Sequence, residues 1–161
     1  MNRSLSRRYR FSVAAFVAAL VVLVAIVFAL PSSAAPRTIQ LKGTDDMKFS
    51  VPKILAKPGE ELTVVLVAVS SQPKTAMAHN FVLLAQGTDV PKFITAASLA
   101  RKTEHIPASF AAKVLAKTGL AGGGETVKVT FKAPTTPGTY AYVCSFPGHF
   151  TGGMKGELIV K

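Results

Sequence analysis

The chain has 161 residues, with 19 Lys or Arg, 8 Asp or Glu and a formal net charge of +11. This length allows one ordinary domain once an N-terminal export segment is set aside. The single cysteine excludes an intramolecular disulfide. Because the lysines form no dense cluster, the positive charge favours a solvated surface over a nucleic-acid-binding one.

The N-terminus has the pattern of a membrane-directed leader. The first ten residues contain four arginines and no acidic residue, and residues 11–30 carry no charge. This apolar run is long for a signal peptide and just reaches the length that spans a bilayer. Residues 1–35 are therefore either a signal peptide cleaved after Ala35 or a membrane anchor helix. By the positive-inside rule, both alternatives place residues 36–161 outside the cytoplasmic membrane.

The exported part contains short β-favouring runs bounded by turn residues. In ETVKVTFK, Val127, Val129 and Phe131 alternate with polar residues, which is the period of a sheet with one buried face. The runs predicted as strands are TIQLKG, MKFSVP, ELTVVLVAVS, HNFVLLA, ETVKVTFKAP, GTYAYVCSFP and GELIVK. We predict an all-β domain, a Greek-key β-sandwich of about seven or eight strands.

One segment, residues 90–118, departs from this pattern. PKFITAASLARK and PASFAAKVLAKT show Ala, Leu and Lys at helical spacing, and each opens at or just after a proline. We predict one or two short helices, forming a helical flap inserted between strands and ended by a flexible turn at residues 120–124. His105 lies in this flap among polar residues, and we expect its side chain to be exposed.

The only cysteine, Cys144, precedes a histidine by five residues and a methionine by ten, in CSFPGHFTGGM. Together with His79 in AMAHNFVLL, the loop residues His149 and Met154 complete a set of two imidazoles, a thiolate and a thioether. Copper sites for electron transfer use this set, because soft sulfur suits Cu(I) and imidazoles also accommodate Cu(II). Metal binding or burial would also protect a free thiol in an oxidising compartment.

Other interpretations use the same side chains. Each one alone could be a packed core residue. A Cys–His nucleophile would leave the second histidine and the methionine without a role, and no glycine-rich oxyanion turn follows the cysteine. The single ligand set argues against a multicopper enzyme, so we predict no enzymatic activity. A copper carrier or storage protein without an electron-transfer role remains the alternative.

MAHNFVL and CSFPGHFTGGM resemble the blue copper proteins known as cupredoxins, most closely azurin and auracyanin. The resemblance extends to KPGEELTVVL and APTTPGTYAYVC and covers nearly all of residues 36–161. Azurins carry a helical flap where this sequence has residues 90–118. The resemblance implies a mononuclear type 1 copper protein that binds one copper ion and carries single electrons between redox partners.

The resemblance also implies a role for each residue of the motif. Cys144 would be the equatorial thiolate, His79 and His149 the equatorial imidazoles, and Met154 the axial ligand. His149 would emerge through the surface as the exit for the electron. Asn80 would form a hydrogen bond across to the ligand loop and hold the two ligand segments together.

Around His149 the resemblance implies an apolar docking patch, formed by Met77, Phe146, Pro147 and Gly148, for brief contact with redox protein donors and acceptors. We expect a monomer without a nucleic-acid partner, in the periplasm or another extracytoplasmic location. Membrane contact would occur through residues 11–30 if the leader is retained.

The sequence departs from azurin in three respects. Four residues separate His149 from Met154, one more than in azurins and the same number as in auracyanins. Ala78 stands where azurins have a glycine whose carbonyl approaches the metal axially, which implies a weaker approach here and a stronger bond from Met154. The azurin disulfide is absent.

Overall fold

The computed structural model describes residues 35–161. The predicted leader, apart from Ala35, lies outside the described residues. No helix within the described range is long and apolar enough to cross a membrane. The strands are β1 (Arg37–Thr44), β2 (Lys48–Phe49), β3 (Lys53–Ala56), β4 (Glu61–Val69), β5 (Ala78–His79), β6 (Val82–Leu84), β7 (Val114–Lys117), β8 (Ala121–Gly122), β9 (Thr126–Lys132), β10 (Gly138–Val143) and β11 (Lys155–Val160). One α-helix, α1 (Val90–Leu99), and two 3-10 turns, Arg101–Thr103 and Ala108–Lys113, complete residues 35–161.

The strands form two main sheets and a two-stranded ribbon. The first sheet has the order β2-β1-β4-β9, the second has the order β3-β11-β10-β6-β7, and β5 pairs with β8. Only the pairs β1–β4 and β3–β11 are parallel among those in the described residues. Because neighbours in each sheet come from distant parts of the chain, the connections cross between the sheets. The predicted all-β sandwich with an inserted helix is confirmed.

Burial alternates along the strands β4 and β9. Along β4, Leu62, Val64 and Leu66 are buried while the residues between them are partly exposed. Strand β9 alternates in the predicted way, with half-buried valines and Phe131 between exposed threonines and lysines. An apolar residue at every second position gives a strand one face that can leave water.

The main core lies between the two sheets. Its largest fully buried side chains are Leu41, Leu62, Leu66, Phe81, Leu83, Tyr142, Met154 and Leu158. Tyr142 packs between Phe49 and Phe81, with ring centroids 5.6 and 5.1 Å away. Burying each such side chain contributes about 1.5–3 kcal/mol. Cys144 and Met154 belong to this same cluster, so two of the four predicted ligands are part of the core.

A second apolar cluster lies beneath the helical flap. Phe93 and Ala97 of α1 are fully buried against Val82, Leu84 and Val143. Asp89 caps the helix, because its side chain accepts a hydrogen bond of 3.1 Å from the backbone N–H of Lys92. The flap is therefore packed on the second sheet.

Of the one or two short helices predicted in the flap, only the first forms an α-helix, and the segment PASFAAKVLAKT does not. Its first half is the 3-10 turn Ala108–Lys113, and its second half is β7, which pairs antiparallel with β6. Pairing with the free edge of β6 stabilises this segment more than its weak intrinsic preference for a helix does. The flexible turn predicted at residues 120–124 also contains a short strand, because Ala121 and Gly122 pair with His79 and Ala78.

The predicted exposure of His105 is wrong as well. The side chain is only 6% exposed, because Glu104 and His105 both have positive φ, 54° and 63°, and this left-handed turn directs the imidazole inward. Nδ1 lies 2.9 Å from the carbonyl oxygen of Ala97, and since a carbonyl only accepts, Nδ1 carries the proton. The ring makes an edge contact with Phe146, with centroids 5.4 Å apart.

Candidate metal centre

Two segments carry the four predicted ligands. His79 is the second residue of β5. Cys144 directly follows β10, His149 lies in the turn after it, and Met154 immediately precedes β11. Residues 144–154 are called the ligand loop below. The loop joins two strands that pair antiparallel, so its ends are fixed by the second sheet.

Folding brings these side chains together. One ligating atom from each of His79, Cys144 and His149 lies within 4.8 Å of the others. Cys144 Sγ is 3.5 Å from His149 Nδ1, and the two imidazole centroids are 4.9 Å apart. Met154 is fully buried beside them, since a Cβ added at Gly43 would lie 2.8 Å from Met154 Cε and 2.9 Å from His79 Cγ.

The imidazole of His79 indicates what this cluster can hold. Within residues 35–161, its Nδ1 and Nε2 are the only buried side-chain nitrogen or oxygen atoms without a hydrogen-bond partner. Leaving a buried polar group unpaired costs about 1–3 kcal/mol. A metal bound to one nitrogen would satisfy it, and the combination with thiolate, imidazole and thioether suits copper. The donor set therefore fits one copper ion.

Burial sets the protonation of the metal-free site. It lowers the pKa of His79 below its ordinary value, with a small opposing effect from Asp45. Burial, followed by the neighbouring His79, lowers the pKa of His149 to about 4. Both imidazoles are therefore neutral at pH 7, with a lone pair free to bind a metal. Burial raises the pKa of the Cys144 thiol to about 12, so metal binding must displace its proton.

The ligand loop is closed by its own backbone. The N–H of Cys144 donates to the Met154 carbonyl at 3.1 Å, and the N–H of Met154 donates to the His149 carbonyl at 2.9 Å. The N–H of His149 donates to the Phe146 carbonyl at 3.1 Å. These bonds fix the relative positions of the three loop ligands before any metal arrives.

Asn80 connects the two ligand segments, as predicted. Its Oδ1 accepts from the N–H of Ser145 at 2.8 Å, and its Nδ2 donates to Ser145 Oγ at 2.8 Å. Nδ2 also lies 3.4 Å from the carbonyl of Glu104, which belongs to the turn that buries His105. One fully buried amide thus links β5, the ligand loop and the flap.

The expectation that His149 emerges through the surface is wrong, because the residue is only 2% exposed. The ring of Phe146 packs on it, with centroids 4.8 Å apart. The predicted docking patch, Met77, Phe146, Pro147 and Gly148, is partly or fully exposed in all its members. His149 therefore lies beneath this patch.

Ala78, in place of the azurin glycine, has its side chain fully buried. Its carbonyl oxygen remains at the site, 3.9 Å from Cys144 Sγ. The Ala78 carbonyl therefore lies beside the ligand cluster even with a methyl group at this position.

The sequence analysis missed several residues that contact the site. Gly43 leaves room for His79 and Met154, and Lys48 donates to the ligand loop. Ser145 bonds Asn80, and His105 contacts Phe146. Only the paired glycines at 152 and 153 signalled that another part of the chain approaches this loop.

The fold and the donor set define a copper protein of the cupredoxin class. Residues 37–161 match the family described as copper binding proteins, plastocyanin/azurin family. The chain therefore belongs to the plastocyanin/azurin family of copper-binding proteins, which confirms the resemblance noted in the sequence. Cupredoxins are blue copper proteins that transfer electrons, which agrees with the predicted absence of enzymatic activity.

Individual relatives agree with this assignment. The chain is 35% identical to auracyanin-B from Chloroflexus aurantiacus over 125 residues, which are 77% of this chain and 52% of that protein. It thus spans about half of the length of auracyanin-B. It is 34% identical to azurin from Achromobacter denitrificans over 132 residues, 80% of this chain and 87% of the azurin. The solved structure of auracyanin A, a "blue" copper protein from Chloroflexus aurantiacus, superposes with a TM-score of 0.69 at 30% identity, covering 79% of this chain and 100% of that one.

Proposed function

We propose that this protein is a mononuclear type 1 copper protein that carries single electrons between redox proteins outside the cytoplasmic membrane. The observation that carries the proposal is the buried cluster of His79, Cys144 and His149, whose ligating atoms lie within 4.8 Å of one another. The proposed ligands are these three residues and Met154. Copper would supply the one-electron couple between Cu(I) and Cu(II).

The chain itself contributes rigidity and exclusion of water. The four proposed ligands are between 0% and 2% exposed. Three lie on a loop closed by its own hydrogen bonds, and Asn80 ties this loop to the segment of His79. Ligands held in this way would move little when copper gains or loses an electron, so little reorganisation accompanies electron transfer.

The proposed route for the electron passes through the docking patch. Phe146 lies directly on the His149 ring, and Pro147 and Gly148 are exposed beside it. An apolar patch over a buried ligand suits redox partners that dock briefly and leave again. Export through the leader at residues 1–35, cleaved or retained, would place these partners in the periplasm or at the outer face of the cytoplasmic membrane.

The enclosure of the ligands favours electron transfer over copper delivery. Handing a metal ion to another protein requires that an incoming ligand reach the metal. Here both imidazoles and the thiol lie in the core, and Met154 is fully buried as well.

The visible spectrum tests the copper site. The protein purified from an exporting host and loaded with Cu(II) should absorb strongly towards the red end of the visible range, through thiolate-to-copper charge transfer. Cys144→Ser should abolish this absorption, and His105→Asn, a change at a buried histidine outside the ligand set, should retain it. Full colour in Cys144→Ser would overturn the assignment.

Mass spectrometry of the same sample shows whether the leader is cleaved after Ala35.

Voltammetry separates the electron carrier from the copper carrier. An electron carrier should give a reversible one-electron wave while the copper stays bound in both oxidation states. Loss of copper to a chelator on reduction, without a reversible wave, would favour a delivery or storage protein.

A further inference from the structure

A hairpin outside the two ligand segments lies against the ligand loop. Strands β1 and β2 pair antiparallel through Gly43 with Phe49 and Thr44 with Lys48, and residues 43–49 are called the β1–β2 hairpin below. Lys48 Nζ donates a hydrogen bond of 2.7 Å to the carbonyl oxygen of Gly152. The two residues are 104 positions apart in the sequence, and Gly152 lies two residues before Met154.

The hairpin and the loop are also matched in shape. A Cβ added at Gly152 would lie 2.8 Å from Met47 Sδ, and one added at Gly153 would collide with Lys48 Nζ. Gly153 has φ of 98°, which other residues rarely adopt. The two glycines therefore accommodate the side chains of Met47 and Lys48.

The Lys48 bond reaches the glycine-containing part of the loop, at the Gly152 carbonyl. Two of the four residues between His149 and Met154 are glycines, which have the greatest backbone freedom to lose. The N–H groups of Gly152 and Gly153 bond within the loop, to Gly148 and Phe150. The Gly152 carbonyl instead accepts from Lys48, in a charge-assisted bond stronger than one between neutral groups.

The same hairpin supports the other end of the Met154 side chain. Gly43 borders Met154 Cε, so the hairpin contacts both the backbone leading to this methionine and its terminal methyl group. We propose that Lys48 is a positioning residue for the axial ligand, which holds the Gly152 carbonyl and so fixes the reach of Met154 towards copper. This proposal rests on the proposed copper site. The axial ligand tunes the potential of such a site, so the tether should influence both the potential and the retention of copper.

Charge alone would also change the potential, so the test needs a control of equal charge. Lys155 is exposed like Lys48 and adjoins Met154 in sequence. Its Nζ lies over the Phe150 ring, 5.1 Å from the centroid. Lys155→Met therefore removes one positive charge beside the same loop and leaves the bond to Gly152 intact.

The experiment compares the copper-loaded wild type with Lys48→Met, Lys48→Arg and Lys155→Met. For each protein, the reduction potential, the visible spectrum and the rate of copper loss to a chelator are measured. We expect Lys48→Met to lose copper about tenfold faster than Lys155→Met, the factor that the loss of one charged hydrogen bond predicts. Its potential and absorption maximum should also shift further than those of Lys155→Met. Lys48→Arg, which keeps a cationic donor, should restore most of the wild-type values.

Equal behaviour of Lys48→Met and Lys155→Met in all three measurements would overturn the proposal. Thermal unfolding of the metal-free variants checks that they fold, and a single cooperative transition is expected for each variant because Lys48 and Lys155 are exposed. A colourless wild type would overturn the proposed function together with the tether. A coloured wild type with indistinguishable variants would overturn the tether alone.

Discussion

The two segments that carry the proposed ligands are held in opposite ways. The ligand loop is closed by its own backbone hydrogen bonds, and its geometry follows largely from a contiguous stretch of sequence. His79 lies in a two-residue strand whose register is set by β8, and its imidazole has no hydrogen-bond partner. The loop is thus a largely local structure, whereas the position of His79 depends on the whole sandwich. Changes at the junction between them should therefore have the largest effects.

Asn80→Ala should be the most damaging of these changes. It removes the amide that joins the segments and leaves the buried N–H of Ser145 without its acceptor. We expect a loss of about 2–4 kcal/mol in the free energy of unfolding, measured by denaturant titration of the metal-free protein. Ser145→Ala is the matched control, because it keeps the backbone bond and should cost about 1 kcal/mol. Equal losses in the two variants would show that this backbone bond contributes nothing.

Acid should destabilise the metal-free protein through the imidazoles of both segments. His149 has a folded-state pKa of about 4, lowered from 6.5 by burial and by His79. Between these two pH values the imidazole is protonated in the unfolded chain but neutral in the folded chain. Stability should be fully present above about pH 6.5 and fall as the pH drops towards 4, by up to about 3 kcal/mol. The lowered pKa of His79 acts in the same direction.

Denaturant titrations between pH 5 and pH 7 measure most of this loss, in a window that begins above the ordinary pKa of carboxylates. His149→Gln should flatten the profile more than His79→Gln, because the pKa of His149 is the more strongly displaced. A profile that stays steep in both variants would place the titrating groups elsewhere.

Gly43→Ala should disturb both segments at once, since the new methyl group would press on His79 and Met154. Overpacking of this kind typically costs about 1–3 kcal/mol. In Gly119→Ala the new methyl group would meet only Glu104 Oε2, at 3.4 Å, and we expect a change below about 0.5 kcal/mol. Thermal unfolding of the metal-free proteins distinguishes the two, and equal shifts would mean that the space beside Gly43 is not tightly filled.

Met154→Leu should have the smallest effect on folding, because it exchanges one apolar side chain for another of similar volume. We expect less than about 1.5 kcal/mol in the metal-free protein. Copper should remain bound through the other three ligands with an altered reduction potential, which voltammetry measures. An unchanged potential would contradict the axial role of Met154.

The sequence alone predicted the parts of this protein that depend on local pattern. Alternation in the segment that forms β9 predicted a sheet with one buried face, because a strand with one apolar face must bury it. The spacing of Cys144, His149 and Met154 predicted the ligand loop, since the three residues lie within one short contiguous stretch of sequence. His79 was predicted as the second imidazole of the donor set, whereas the role of Asn80 was predicted only through the resemblance to a family.

The tertiary structure decided what depends on contacts between distant residues. Strand β7 forms because it pairs with the edge of β6, although its sequence has a helical pattern. His105 points inward because Glu104 and His105 have positive φ angles, which no local sequence motif predicts. The enclosure of His149, the space beside Gly43 and the bond from Lys48 to Gly152 likewise arise between segments far apart in sequence. Periodicity tells which face of a strand avoids water, but which residue meets that face is determined only when the sheets pack together.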